Sequence, residues 1–281
     1  MTDTAVGRGR RGLRSARSGA SALGGYLGLA IVVAAVIVGV SAGFLSAERW
    51  APFGDIRVWR FVGEGLLATL QIGIVSMVAS LALSLPLALA RLALPRPLRW
   101  IVVAWIELVR ATPVLALILG TTLFLPRTGL DVPAIWAATI GLTVYTSAVL
   151  AEILRAGILS IPKGEVEAAR SLGLSYAVTM RLIVLPQAVA RMMPAIVSQL
   201  ITLIKDTSLA SIAAVPELVG HARSTFVFYG NPAETLFVIA CIYFVICYSL
   251  SRFARRLEQR RPETAPILVT GELDQVGVPA R

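Results

Sequence analysis

The chain is short of charge, histidine and cysteine. Only 15% of its 281 residues are Asp, Glu, Lys or Arg, against about 25% in an ordinary soluble domain. That scarcity argues against a charged, water-covered surface. There is one histidine, His221, and there are two cysteines, Cys241 and Cys247, with no metal-ligand spacing among them. The cysteines are six apart in one apolar run. On a helix they point in different directions, so they read as small packing residues rather than a disulfide. A hydrolase needs a nucleophile beside a base, and the one histidine falls in a segment expected to be an exposed outer loop. No G-x-x-x-x-G-K-[ST] stretch occurs, so a phosphate cradle of that type is excluded. No internal repeat is evident.

What the chain has instead is apolar length: 57% of its residues are hydrophobic, gathered in long runs. Runs of roughly 20 apolar residues read as membrane helices. Six such segments follow, at 24–46, 61–90, 100–125, 134–154, 187–209 and 233–251. All are expected to be helices, because lipid cannot satisfy open backbone groups. The net charge of +10 does not signal nucleic acid, since the basic residues lie in short stretches between apolar runs. They set orientation instead. With the N-terminus inside, nineteen Lys and Arg fall on the inner side and five on the outer. The expectation is an all-α membrane protein of six transmembrane helices, N-in and C-in. Residues 1–23 carry Arg8, Arg10, Arg11, Arg14 and Arg17 and are expected to form a disordered cytoplasmic tail. The run after them is too long for a signal-peptide core, so 24–46 is expected to remain as a span. Residues 253–281 are expected to form a largely disordered inner tail.

Residues 156–190 differ from the other loops. Gly157 and Pro162 interrupt the chain after the fourth span. A short helix is expected from near Pro162, since proline suits a first turn, through Glu165 to Leu172. Gly173 supplies its stop. Ser175 is a fair N-cap for a second short helix, Tyr176 to about Val184, and Pro186 is expected to force a boundary before the next span. Ala168 and Ala169 are small, so another protein could approach the backbone closely. Two uses fit this helix–Gly–helix elbow: a helix set into a groove of a cytoplasmic partner, or an amphipathic helix resting on lipid headgroups.

The stretch Glu167-Ala168-Ala169, three residues, Gly173, nine residues and Ile183-Val184-Leu185-Pro186 resembles the EAA loop of ABC importer permeases, EAA-x3-G-x9-I-x-LP, at every fixed position. Three further stretches look like the polar amino-acid branch of that family. They are Ala151-Glu152-Ile153-Leu154-Arg155-Ala156-Gly157 through Gly164, Glu107-Leu108-Val109-Arg110-Ala111-Thr112-Pro113, and Leu203-Ile204-Lys205-Asp206-Thr207-Ser208-Leu209. The resemblance covers about 60–252. It implies a five-helix type I importer core, with 24–46 as an added N-terminal helix of open role. It also implies that Glu167, Ala168, Ala169, Gly173, Ile183 and Pro186 couple to a separate ATPase subunit, which binds the ATP and magnesium. The implied partners are an ATPase dimer, a second permease subunit, identical or homologous, and an extracytoplasmic solute-binding protein. The implied substrates are polar amino acids, glutamate or glutamine weakly preferred. No cofactor and no catalytic residue is expected on this chain. An ion-gradient-driven secondary transporter is the alternative, but such proteins usually show internal repeats.

Charges within apolar segments cost about 2.5–3.5 kcal/mol each on insertion scales, so they pair or line a cavity. Glu107 and Arg110 are three apart and can meet on one helix face. They either neutralise each other or, with Thr112, face a zwitterionic solute in the path. Lys205, Asp206, Thr207 and Ser208 either face the path within the fifth span or mark its outer interface. Glu152 and Arg155 are expected to brace the elbow. Glu64 is expected near an outer helix end, solvated.

Overall fold

The computed structural model describes residues 46–259. The expected tail 1–23, the added helix 24–46 but for its last residue, and the tail beyond 259 lie outside them. Among the described residues all regular structure is helical. The main elements are α1 (Ile56–Ala93), α2 (Arg96–Ala111), α3 (Val114–Phe124), α4 (Ala134–Leu159) and α5 (Lys163–Ser171). They continue with α6 (Tyr176–Ala213), α7 (Leu218–Tyr229) and α8 (Pro232–Gln259). Four of these, α1, α4, α6 and α8, are long and apolar enough to cross a membrane, and α2 with α3 makes a fifth if that bent pair is one span. The last helix runs on to Gln259, so the expected disordered tail starts later than residue 253.

The third apolar segment is not one rod. It bends by 99° between α2 and α3. Pro113 is the cause: it disfavours helical backbone in the residue before it, and Thr112 is extended, at φ −81° and ψ 132°. Hydropathy could not register this, since the residues on both sides are apolar. The expected boundary at Pro186 is also absent. A π-helical turn, Met180–Val184, joins the helical turn Tyr176–Thr179 to Leu185–Asp206. Proline removes one backbone donor, and a widened turn absorbs that loss without ending the helix.

Two compact units divide the chain. In the first, residues 46–64 and 221–240, the Asn231 amide donates to the Arg49 carbonyl at 3.0 Å and its oxygen accepts from Thr235 at 3.0 Å. Glu234 is fully buried there, 3.9 Å from the Arg49 guanidinium. Glu64 is exposed, as expected. His221 departs from expectation: it lies on α7, partly buried, its ring 4.3 Å from that of Phe61.

The second unit, residues 65–220 and 241–259 of those described, holds the main core. Ile72, Ile106, Ile118, Leu142, Leu150 and Leu203 are fully buried in it. Small polar residues let its helices approach. Ser76 and Ser80 of α1 donate to the Thr139 and Thr143 carbonyls of α4, at 3.2 and 3.1 Å. Such small-residue contacts are how membrane helices pack closely without a hydrophobic drive between them. Gly141 on α4 faces α3 more tightly still. A Cβ there would lie 2.7 Å from Thr121 Oγ1, 3.0 Å from the Leu117 carbonyl oxygen and 3.1 Å from Ile118 Cα. Two of those atoms are backbone and cannot swing aside. Gly141→Ala is therefore expected to destabilise the protein by about 1–3 kcal/mol, the usual range for overpacking. Thermal unfolding in detergent checks this, and an unchanged midpoint would contradict the close approach.

Candidate functional site

The elbow is built around α5. Pro162 stands as its N-cap residue, extended at ψ 133°, and Glu165 occupies the first turn, where a negative charge suits the helix dipole. The stop is a Schellman motif: Leu174 N–H bonds the Ala169 carbonyl at 3.2 Å and Gly173 N–H bonds Arg170 at 2.9 Å. Gly173 supplies the left-handed residue, at φ +78°. Ser175 then caps the next helix, its hydroxyl accepting from Val178 N–H at 3.4 Å. Both stops fall where the sequence placed them. The loop proper is shorter than 156–190, because α4 continues to Leu159 and α6 begins at Tyr176.

One face of α5 is spoken for within the chain. Ala169 is only 2% exposed. Val166 packs on an apolar plug of Ile158, Ile161, Met180, Val184 and Ala188, together with Leu89 and Leu92 from the end of α1. Gln187 donates to Glu165, and Arg191 donates to the Ser160 carbonyl at 2.6 Å. These bonds tie the base of α6 to the start of the elbow. The other face is open: Glu167, Ala168, Arg170, Ser171 and Gly173 are exposed, and Leu172 is 81% exposed. Of the two small alanines, Ala168 is exposed and Ala169 is buried. Farther along, Ile183 is partly buried and Pro186 exposed.

Glu107 and Arg110 do meet, at 3.7 Å, as do Glu152 and Arg155, at 3.1 Å. The two pairs are not separate. Arg91, near the end of α1, bonds Glu152 directly and lies 3.5 Å from Glu107. The result is a chain of alternating charge, Arg110–Glu107–Arg91–Glu152–Arg155, across α2, α1 and α4. Arg91 is one of the nineteen inner-side Lys and Arg. Its partners are 16 and 61 residues away, so no local spacing reveals them. Thr112, at the α2–α3 break, donates its hydroxyl to the Leu108 carbonyl at 2.8 Å.

The Lys205–Ser208 cluster closes the α-helical part of α6. Thr207 is buried and its hydroxyl donates to the Ile204 carbonyl at 2.7 Å, while Ser208 donates to Lys205 at 2.6 Å. Lys205 is exposed and Asp206 partly buried. Close by in sequence, Glu217 was missed altogether. It is fully buried between α6 and α7. Its carboxylate accepts from Thr69 and Tyr243 at 3.3 Å each and from the Gly220 N–H at 2.8 Å. Thr69 in turn accepts from Leu218 N–H at 3.1 Å. Burial raises the Glu217 pKa, and the backbone N–H groups of Val219 and Gly220, then Thr69 and Tyr243, pull it back down. The sequence did hold a signal: an acidic residue directly after Pro216, at a helix start. The turn before it carries the one non-glycine residue with positive φ among those described, Ala214 at +57°.

An all-helical bundle with several apolar spans and an open-faced amphipathic elbow defines a multi-pass membrane protein. Residues 80–262 match the family described as the binding-protein-dependent transport system inner membrane component. The probable glutamine ABC transporter permease protein GlnP of Bacillus subtilis is 42% identical, over 72% of this chain and 94% of that protein. The glutamate transport system permease protein GluD of Corynebacterium glutamicum is 38% identical, over 78% and 81%. Among solved structures, an amino acid ABC transporter crystallised with histidines is 29% identical, with a TM-score of 0.69 over 74% of this chain and 98% of that one. The MetNI methionine ABC transporter, inward facing, shares the fold at 20% identity and a TM-score of 0.60, over 72% and 99%. The chain belongs to the family of inner membrane components of binding-protein-dependent transport systems.

Glu217→Gln keeps the size of the Glu217 side chain but turns an amide N–H₂ toward N–H and O–H donors. It is expected to cost about 1–3 kcal/mol, the range for an unmatched buried polar group. A fall in the detergent melting midpoint checks this; no fall would mean that the carboxylate is not the pin it looks to be.

Proposed function

We propose that this chain is the permease subunit of an ATP-driven importer of polar amino acids, with both termini in the cytoplasm. Glutamine and glutamate are the favoured solutes, on the strength of the two relatives named above. The observation that carries the coupling is the divided α5 helix, with one face locked to the plug and the other, around Glu167, Ala168 and Leu172, left open. An open face with a small residue at its centre suits insertion into a groove. The lipid-surface alternative fits less well, because the open face mixes Glu167 and Arg170 with one large apolar residue, Leu172, rather than presenting an apolar stripe.

In this reading a separate ATPase dimer grips Glu167, Ala168, Ala169, Gly173, Ile183 and Pro186 as one unit. Ala169, Ile183 and Gly173 serve it by shaping and seating the helix, Glu167 and Ala168 by touching the partner. ATP and magnesium are held by that partner, and this chain contributes no catalytic residue. Closure of the nucleotide-bound dimer moves α5, the plug and the ends of α1, α4 and α6. A second permease chain, identical or homologous, completes the path, and an extracytoplasmic solute-binding protein delivers the solute. Glu107, Arg110, Thr112, Lys205, Asp206, Thr207 and Ser208 supply the polar groups of the path. Glu152 and Arg155 brace the elbow.

Two measurements test this. Single cysteines at 168 and 171 are expected to cross-link to a nucleotide-hydrolysing subunit from the same membranes. Cross-links confined to lipid would instead support the headgroup reading. Asp206→Ala is expected to cut solute uptake by tenfold or more, a rise of about 1.4 kcal/mol or more in the activation barrier, while the complex still assembles. Normal uptake by that variant would remove the Lys205–Ser208 cluster from the path. Uptake that ran on an ion gradient without ATP would favour a secondary transporter.

A further inference from the structure

We infer that Arg91 is a positioning residue for transport: it links the elbow's movement to the end of α2 and to the bend at Thr112–Pro113. The inference rests on the importer reading above and adds a residue to it.

Three observations meet at Arg91. The first is its place on α1. Leu89 and Leu92, its neighbours on the same turn, pack on the apolar plug beneath α5. The end of α1 therefore moves with the elbow. The second is its double bond across helices. Its guanidinium reaches Glu152 of α4 and Glu107 of α2, and Glu152 is held in turn by Arg155 through contacts of 3.1 and 3.3 Å. The third is the shelter at the centre of the chain of charges. Arg91 and Glu152 are 18% and 16% exposed, Arg155 30%, Arg110 40% and Glu107 54%. The Arg91–Glu152 pair is the sheltered centre, and both ends are more open.

Apolar packing alone already joins α2 to α4, through Ile106 and Val109 in the main core. Such packing resists separation of helices but tolerates sliding, since methyl groups have no preferred register. A guanidinium shared by two carboxylates has a preferred register, because its donors sit in a fixed fork. Arg91 thus converts a sliding contact into a keyed one. Glu107 and Arg110 lie one turn before Thr112, so whatever turns Glu107 turns the approach to the bend.

Lysine cannot take the same place. An ammonium on Arg91→Lys is a compact point charge without the planar fork that fixes the direction of the guanidinium's bonds. Arg91→Met removes the link and leaves Glu152 with Arg155 only. Arg91→Met with Glu107→Gln removes the link and the carboxylate left without it.

The test is made on the whole transporter, permease with its ATPase and solute-binding protein, reconstituted in liposomes, reading solute taken up per ATP hydrolysed. Arg91→Lys and Arg91→Met are expected to lower that ratio by about five- to tenfold or more, a usual span for coupling between sites, while ATP hydrolysis itself persists. The double variant Arg91→Met, Glu107→Gln is expected to recover assembly if the single variant loses it, and its ratio is read against that of Glu107→Gln alone, because Glu107 also stands in the proposed path. An unchanged ratio in Arg91→Lys or in the assembled double variant overturns the inference, since the residue would then serve stability alone. A wild-type complex that takes up solute without hydrolysing ATP overturns the importer reading itself, whatever the variants do. The two failures are therefore told apart by the wild-type control.

Discussion

A short helix cannot hold itself up: nucleation costs more than one or two turns of hydrogen bonds return, and tertiary packing must supply the rest. For α5, nine residues long, the apolar plug supplies it. Val166 packs on that plug, Ala169 is buried, and the bonds from Gln187 and Arg191 clamp the elbow from the α6 side. Everything asked of the exposed face depends on this. A helix seated on one side can be pushed from the other without unravelling. The same plug contains residues of α4 and α6 and is flanked by α1, so pushing α5 means moving the ends of three long helices together.

The elbow was largely legible in the sequence because its punctuation is chemical. Pro162, Gly173 and Ser175 each answer a specific backbone need: a first turn, a left-handed stop and a cap. Each sits where the structure uses it. Hydropathy served less well. It found the spans but set their ends within the apolar runs, so α1 and α6 prove longer than the segments 61–90 and 187–209. It was also blind to the bend at Pro113, because a break between two apolar stretches does not change an average. Pro186 erred the other way. Proline was read as a boundary, yet a π turn carries the helix through. The rule that proline ends helices concerns one hydrogen bond, and a locally widened turn can re-route that bond.

The charged residues show what local spacing can and cannot reach. Pairs three apart on one helix, Glu107 with Arg110 and Glu152 with Arg155, follow from geometry alone and are present. The group that unites them comes from another helix, and its distance in sequence carries no signal. Glu217 makes a related point. Within a stretch read as loop, a lone acidic residue looks solvated. Folding brings Thr69 from 148 residues away to meet it, and the residue becomes a buried four-way junction. The neighbouring left-handed Ala214 belongs to the same turn. A non-glycine residue held there costs about 1–2 kcal/mol, which the Glu217 junction helps to offset.

Two kinds of connection thus divide the work. Serine, threonine and glycine contacts, as between α1 and α4 or α3 and α4, bring helices close and hold register only through neutral hydrogen bonds, weaker than charge-assisted ones. Directional groups, the Arg91 fork and the Glu217 carboxylate, assign each slide an energy. A protein made of the first kind alone would be a compliant bundle, moving wherever lipid let it. With the second kind added, displacement at the elbow has fewer ways to spread, since the helices it moves are keyed to their neighbours at defined positions. In the importer reading proposed above, fewer alternative motions mean that less of the work done on α5 is lost in directions that move no solute, and such keyed contacts offset the desolvation of the charges they bury.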